Sequence, residues 1–352
     1  MKKERDTLPD IVRGFAIILV VLGHCIQEGN GADFSTNMLY FDDKLYQFIY
    51  SFHMPLFALI AGYYAYPGFA RCKIKKEQYH LLGRRILTYG IPIFVWTLFE
   101  YIRECIINSK LGYKTYTPVT FTTGFFFRVI GNHWFLWSMI ISFVLVWIMH
   151  VYLKDNMIIY GLIFLAFFFL PDGYNFHAYK YLMPFYIVAF YVNQNKGELP
   201  ALFYSLQKNN RLLLLLSFIA FAGLFLVYRR DAFIYVSGYR ITKNIWWKMI
   251  LIDIYRMVIG FAGSVFWISF WKEITSLIKG YHFPILKAFG QNSLGVYLIS
   301  GYTTILIMRR FTDSLGYSIP RVLLETAVIG IISLVLSIGI AKIPVIRKSV
   351  GK

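Results

Sequence analysis

The sequence predicts an all-α membrane protein: a polytopic helical bundle of about ten transmembrane helices with both termini cytoplasmic. Three observations predict it. Hydrophobic residues make up 58% of the 352 residues and charged residues only 15%, against about 45–50% and 25% in soluble domains. Mean hydropathy is +0.55. The apolar residues fall in long runs over nearly the whole chain, without the alternation of a barrel, and in lipid such runs satisfy their own backbone hydrogen bonds only as helices. Residues 1–352 therefore read as a single transmembrane domain, and a soluble domain, a disordered chain and a collagen-like fibre are excluded. Cys25, Cys72 and Cys105 are too few and too scattered for a disulfide framework, and no CxxC occurs. The net charge of +18 sits in short loops between apolar runs, which points to membrane lipids as partners and not to nucleic acid.

The spans follow in order. The first, at 10–28, comes after a basic start but has no small-residue cleavage site, so it reads as a retained span and not a signal peptide. The next three lie at 46–66, 86–106 and 134–153. Those at 157–170 and 181–194 are near 14 residues, short enough to tilt, break or re-enter. The last four lie at 211–228, 249–271, 290–308 and 322–341. With the N-terminus inside, the cytoplasmic segments hold about 20 basic residues, among them Lys2, Lys3, Arg5, Arg71, Lys73, Lys75, Lys76 and Lys279, and the opposite side about 14. The loop after the first span carries Asp33, Asp42 and Asp43 with one lysine, whereas the loop after the second carries six basic residues. The basic 229–248 loop, with Arg229, Arg230, Arg240, Lys243 and Lys248, runs against this rule; it faces lipid head groups by default, or an acidic glycan.

The first span reads Asp10-Ile-Val-Arg13-Gly-Phe-Ala-Ile-Ile-Leu-Val-Val-Leu-Gly-His24. Eleven residues of helix are three turns plus roughly 20°, so Arg13 and His24 share one face about 16 Å apart along the axis. Ionisable groups within a span are costly and face a cavity or a partner. The bland alternative is that Arg13 snorkels to phosphate and His24 caps the helix. The topology also brings His53 and His133 toward the outer half, each as a site residue or an interfacial anchor, while Arg84 and Arg85 gather at the inner mouth. A metal site is not expected, because no HxxxH or HxxE lies on any span. Glu100, Arg103 and Glu104 are spaced for ion pairs within one helix, as are Asp253 and Arg256.

Arg13-x10-His24, Phe-His53-Met-Pro55-Leu-Phe followed by Ala61-Gly62-Tyr63, Arg84-Arg85, Trp134-Phe-Leu and Phe-Gly290-Gln-Asn292-Ser293-Leu-Gly-Val-Tyr297-Leu together resemble the acyltransferase-3 family over essentially the whole chain. Two positions depart from it. The family often has serine at Ala61 and often ends the last motif with histidine where this chain has Ser300. The resemblance implies a bacterial inner-membrane, multi-pass O-acyltransferase. Its donor substrate is acyl-CoA, usually acetyl-CoA, from the cytoplasm, and no permanently bound cofactor is implied. Its acceptor is a hydroxyl of a cell-surface glycan or a lipid-linked sugar.

On this reading His24 is the catalytic base or a transient acyl carrier. Arg13, Arg84 and Arg85 bind the donor, since guanidinium forks suit phosphates. Arg13 has the alternative of pairing with Asp10, and Arg84 and Arg85 that of positive-inside anchors. His53, His133, Tyr63 and Trp134 support the substrate. Asn292 and Ser293 touch the donor or serve as a helix cap. A secondary transporter or flippase is the alternative from another class; it lacks the paired broken helices expected in two halves of such a fold.

Overall fold

Helices cover most of each of these apolar runs, and among the described residues five are long and apolar enough to cross a membrane. A computed structural model describes residues 7–28, 38–167, 169–198, 208–239, 245–278, 283–311 and 317–352, and no strand occurs among them. Of the residues used to orient the chain, Lys2, Lys3, Arg5, Asp33, Arg240, Lys243 and Lys279 lie outside the described residues.

The chain begins with α1 (Leu8–Glu28), then α2 (Lys44–Tyr50), α3 (His53–Ala70) and the long α4 (Lys75–Lys110). Next come α5 (Pro118–Gly131), α6 (Trp134–Tyr152), α7 (Met157–Phe167) and α8 (Phe176–Gln194). The second half holds α9 (Asn210–Leu226), the single turn α10 (Ile234–Ser237), α11 (Trp246–Leu277), α12 (Pro284–Gln291), α13 (Ser293–Phe311) and α14 (Ile319–Lys342). By length and composition α1, the Lys44–Ala70 run, α6, α11 and α14 can each cross a membrane, while α7 and α9 are shorter apolar helices. Several elements differ from the sequence expectation: α4 begins eleven residues before the predicted 86, and the predicted 46–66 and 290–308 spans are split into α2 and α3 and into α12 and α13. α8 starts five residues before the predicted 181, because Lys180, which ends the apolar run in the sequence, is buried and paired inside the protein. α5 was not expected as a helix; Thr117 caps it through a reciprocal pair with Thr120 and Pro118 opens it.

The axis of the bundle is α1, which packs against α2, α3, α11, α12, α13 and α14. Ile11, Ala16, Ile17, Val21, Cys25 and Ile26 are almost fully buried there. Two glycines set how closely α12 approaches it. A Cβ on Gly290 would overlap the carbonyl oxygen of Asp10, and one on Gly14 would overlap that of Leu286. Backbone thus meets backbone, and the Phe-Gly290-Gln motif lies directly on the Asp10–Arg13 turn. Gly62 does the same for α3 against the Tyr186 carbonyl of α8. Overpacking a tight contact costs about 1–3 kcal/mol, so Gly290→Ala is expected to lower thermal stability by that amount. Thermal unfolding of detergent-solubilised protein measures it, and an unchanged melting curve would count against the close crossing.

The expected Asp253–Arg256 pair is present on α11, with Nη1 to Oδ1 at 2.9 Å and both side chains 2% exposed. Arg256 also donates to the Gly238 carbonyl at 2.7 Å and to the Ser237 hydroxyl. Beside it Lys180 meets Asp172 at 2.6 Å, and Asp172 accepts the Tyr239 amide at 2.9 Å. These charges fasten the described part of the 229–239 segment onto α8 and α11. Arg230 of that segment pairs with Asp42 at 3.2 Å.

Candidate active site

Arg13 and His24 both face cavities. At the start of α1, Asp10 is buried at 2% exposure. It faces the Arg13 guanidinium at 3.5 Å and accepts a hydrogen bond from Gln291 Nε2 at 3.1 Å. The Arg13 guanidinium also lies over the Tyr64 ring, 5.8 Å from its centroid. Together Asp10, Arg13, Tyr64, Arg85, Ser293 and Tyr297 line a cavity of about 410 Å³. Arg85 reaches it across the Phe143 ring. Lys352 lines it too and donates to the Gln291 carbonyl at 2.6 Å. The cavity thus presents several cationic groups and one buried carboxylate that holds the nearest guanidinium in place, a setting suited to an anionic group.

The other end of α1 opens on a second cavity, of about 1220 Å³, lined among others by His24, Gln27, Glu100, His133, Trp134 and Tyr297. His24 is partly buried. His133 caps α6 in a left-handed conformation with φ +53°, and its side chain is 9% exposed. Its Nε2 lies 3.9 Å from Glu100 Oε1 and makes no hydrogen bond among the described residues. Glu100 Oε2 accepts from Asn132 at 3.1 Å. Outward of these, Arg128 Nη2 contacts both carboxylate oxygens of Glu104 at 2.6 Å. Tyr297 is common to both cavities and lies between the guanidinium end and the imidazole end. Its ring is edge-on to His133, with centroids 6.5 Å apart.

The residues singled out in the sequence do not all meet. Asp10, Arg13, Arg85 and Ser293 share the first cavity, and His24, His133 and Trp134 the second. His53 lines neither: it is 2% exposed, donates from Nδ1 to the Ile49 carbonyl at 2.7 Å and stands edge-on to Tyr50. It is a packing residue of the bundle interior and not part of either cavity. Tyr63 points to the Lys196 ammonium, 4.6 Å from the ring centroid, and its neighbour Tyr64 takes the cavity position. One helical residue is a turn of 100°, which sends these two side chains different ways. For the same reason Arg85 enters the cavity and Arg84 lies exposed in an open groove with Lys75, Lys76 and His80. Asn292 bonds back to the Ala288 carbonyl at 2.8 Å and serves the break between α12 and α13. The expected pairing within α4 is replaced: Glu104 pairs with Arg128 and Glu100 with Asn132, both across to the next element. No cluster of three or more metal-ligating side chains occurs among the described residues.

Sequence reasoning missed Tyr64, Gln291 and Lys352, and assigned no role to Tyr297. For Tyr297 a signal existed: it lies one helical turn beyond Ser293, on the same face. Lys352 lies beyond every span and is carried to the cavity by the turn at 347–350, where the Ser349 carbonyl accepts from Trp96 at 2.9 Å.

An all-helical membrane bundle whose opening helix carries a guanidinium in one cavity and an imidazole in the next is the layout expected of a membrane acyltransferase. Residues 8–342 match the acyltransferase-3 family, described as an acyltransferase domain, and the chain belongs to that family. It is similar to the nodulation protein NolL of Mesorhizobium japonicum, 27% identical over 198 residues, which are 55% of this chain and 49% of that protein. It is also similar to the nodulation protein NolL of Sinorhizobium fredii, 33% identical over 143 residues, 40% of this chain and 36% of that protein. The chain thus spans about half the length, or less, of these curated relatives. No solved structure matches.

Proposed function

We propose that this protein transfers an acyl group, acetyl in the simplest case, from cytoplasmic acyl-CoA to a hydroxyl of a surface polysaccharide or its lipid-linked precursor. The observation that carries the proposal is the pair of cavities that share Tyr297 as a lining residue, with cationic groups in one and His24 in the other. Coenzyme A has phosphates at one end and a thioester at the end of a long arm. Arg13 and Arg85 are always charged and fork-shaped, which suits the phosphates. The rise of about 16 Å along α1 is a distance the arm can span to bring the thioester to His24.

At His24 the chemistry takes one of two routes. As base, His24 takes the acceptor hydroxyl proton while the oxygen attacks the thioester carbon, and the thiolate that leaves receives that proton. As carrier, its nitrogen accepts the acyl group, releases the thiol and passes the group to the hydroxyl. Both require an imidazole unprotonated near neutral pH.

Purified protein in lipid nanodiscs, given acetyl-CoA and membrane glycan extract, is expected to produce glycan heavier by one acetyl increment. Movement of labelled glycan across vesicles without acylation would instead make the protein a transporter. A second test concerns the donor. Hydrogen bonds to charged groups contribute about 1.5–3 kcal/mol, so Arg13→Ala is expected to weaken the apparent affinity for acyl-CoA roughly 10–100-fold. An unchanged affinity would leave Arg13 only its pairing with Asp10.

A further inference from the structure

The larger cavity contains two imidazoles in unlike surroundings. His24 has no ion-pair partner among the described residues. His133 stands with Nε2 3.9 Å from a carboxylate oxygen of Glu100 and, nine-tenths buried, has no hydrogen bond at that nitrogen among the described residues. The left-handed backbone at His133 and the Asn132 amide bonded to the other Glu100 oxygen hold this gap in place. Conformations of that kind are costly and cluster where function needs them.

Resting on the acyl-transfer reading above, by its route with His24 as acyl carrier, we propose that His133 and Glu100 form the acceptor subsite: His133 is the base for the reacting hydroxyl, and Glu100 holds the neighbouring hydroxyl of the same sugar ring. A neutral imidazole nitrogen and a carboxylate are both acceptors. Side by side they match two adjacent O–H donors, the pattern of a vicinal diol on a pyranose. The step balances. The acceptor O–H bond breaks and its proton passes to His133 Nε2. The oxygen's electron pair forms the ester bond to the acyl carbon held at His24. That carbon's bond to the His24 nitrogen breaks with its electron pair, and that nitrogen then receives the proton from His133. Meanwhile the Glu100 carboxylate stabilises the imidazolium. The titratable and charged groups that line the cavity with His133 are Glu100, Tyr101, Arg103 and Glu104 from α4, Arg128 from α5, His24 from α1, and Tyr297 and Tyr302 from α13.

The test uses membranes from cells that make the acceptor, with labelled acetyl-CoA as donor. His133→Asn keeps a residue that tolerates the left-handed backbone but has no base. It is expected to lower incorporation into the glycan fraction about 10²–10⁴-fold, with equilibrium binding of acetyl-CoA to the purified variant within twofold of the parent. Retained incorporation overturns the proposal, and so does lost donor binding, which would make His133 part of the fold or of the donor site. Glu100→Gln supplies the second readout. It weakens the base, so the acidic limb of the incorporation profile moves to lower pH by about one unit and the plateau falls. A rate lowered equally at every pH would make Glu100 merely structural and overturn its part. Failure of the parent protein to acylate anything sinks the acyl-transfer reading itself; loss in His24→Ala with activity kept in His133→Asn sinks only this subsite.

Discussion

Replacing His24 by alanine abolishes acyl transfer, with incorporation from acyl-CoA into glycan falling at least 10²–10⁴-fold, the span typical of a removed base, while protein recovered from the membrane stays at parental yield. The side chain is expendable to the fold. It faces a cavity, is only partly buried, and stands outside the apolar core formed by its neighbours Val21, Leu22, Cys25 and Ile26. Alanine is the best helix former, so α1 persists. The loss is expected on either route: without the imidazole there is no carrier for the acyl group and no base for the acceptor hydroxyl. Full activity in the variant, measured by label incorporation in isolated membranes, would refute the role of this residue.

Arg256→Met destabilises the protein by about 3–5 kcal/mol, the usual result of stripping one partner from a buried ion pair. Asp253 would be left 1% exposed with no counter-charge at 2.9 Å. The carbonyl of Gly238 and the hydroxyl of Ser237 would lose their donor as well. The double variant Asp253→Leu/Arg256→Met removes both charges and is expected to recover part of the stability. It does not recover all of it, since the segment ending at Tyr239 stays unfastened. Thermal unfolding of the detergent-solubilised single and double variants gives both numbers. Equal melting temperatures for parent and single variant would mean that Asp253 is not buried as a charge.

Much of this was legible in the chain because membrane helices follow from composition and run length alone. The Arg13–His24 spacing put both side chains on one face of the first helix, since eleven residues return a helix to nearly the same direction, and each of them lines a cavity. Neighbouring residues were harder. Tyr63 against Tyr64 and Arg84 against Arg85 differ by a single 100° step, and which member turns inward depends on the packing of α3 and α4 against other helices. Partners distant in sequence were out of reach altogether. Glu100 sits beside Asn132 and Arg128 pairs with Glu104, contacts set by how α5 folds back on α4. His53 carried the right residue type, but its ring faces the Ile49 carbonyl. Periodicity fixes a helical face; it does not say what stands opposite.

The phenol of Tyr297 forms part of the wall of both chambers. In the function proposed here, that placement bears on the energy economy of the cell. An unobstructed water-filled bore across the lipid would let protons and sodium run down their gradients each time the enzyme turned over. A ring set in the wall shared by both chambers narrows such a bore, and in the proposed function an acyl group would then be handed on without a standing leak of ions.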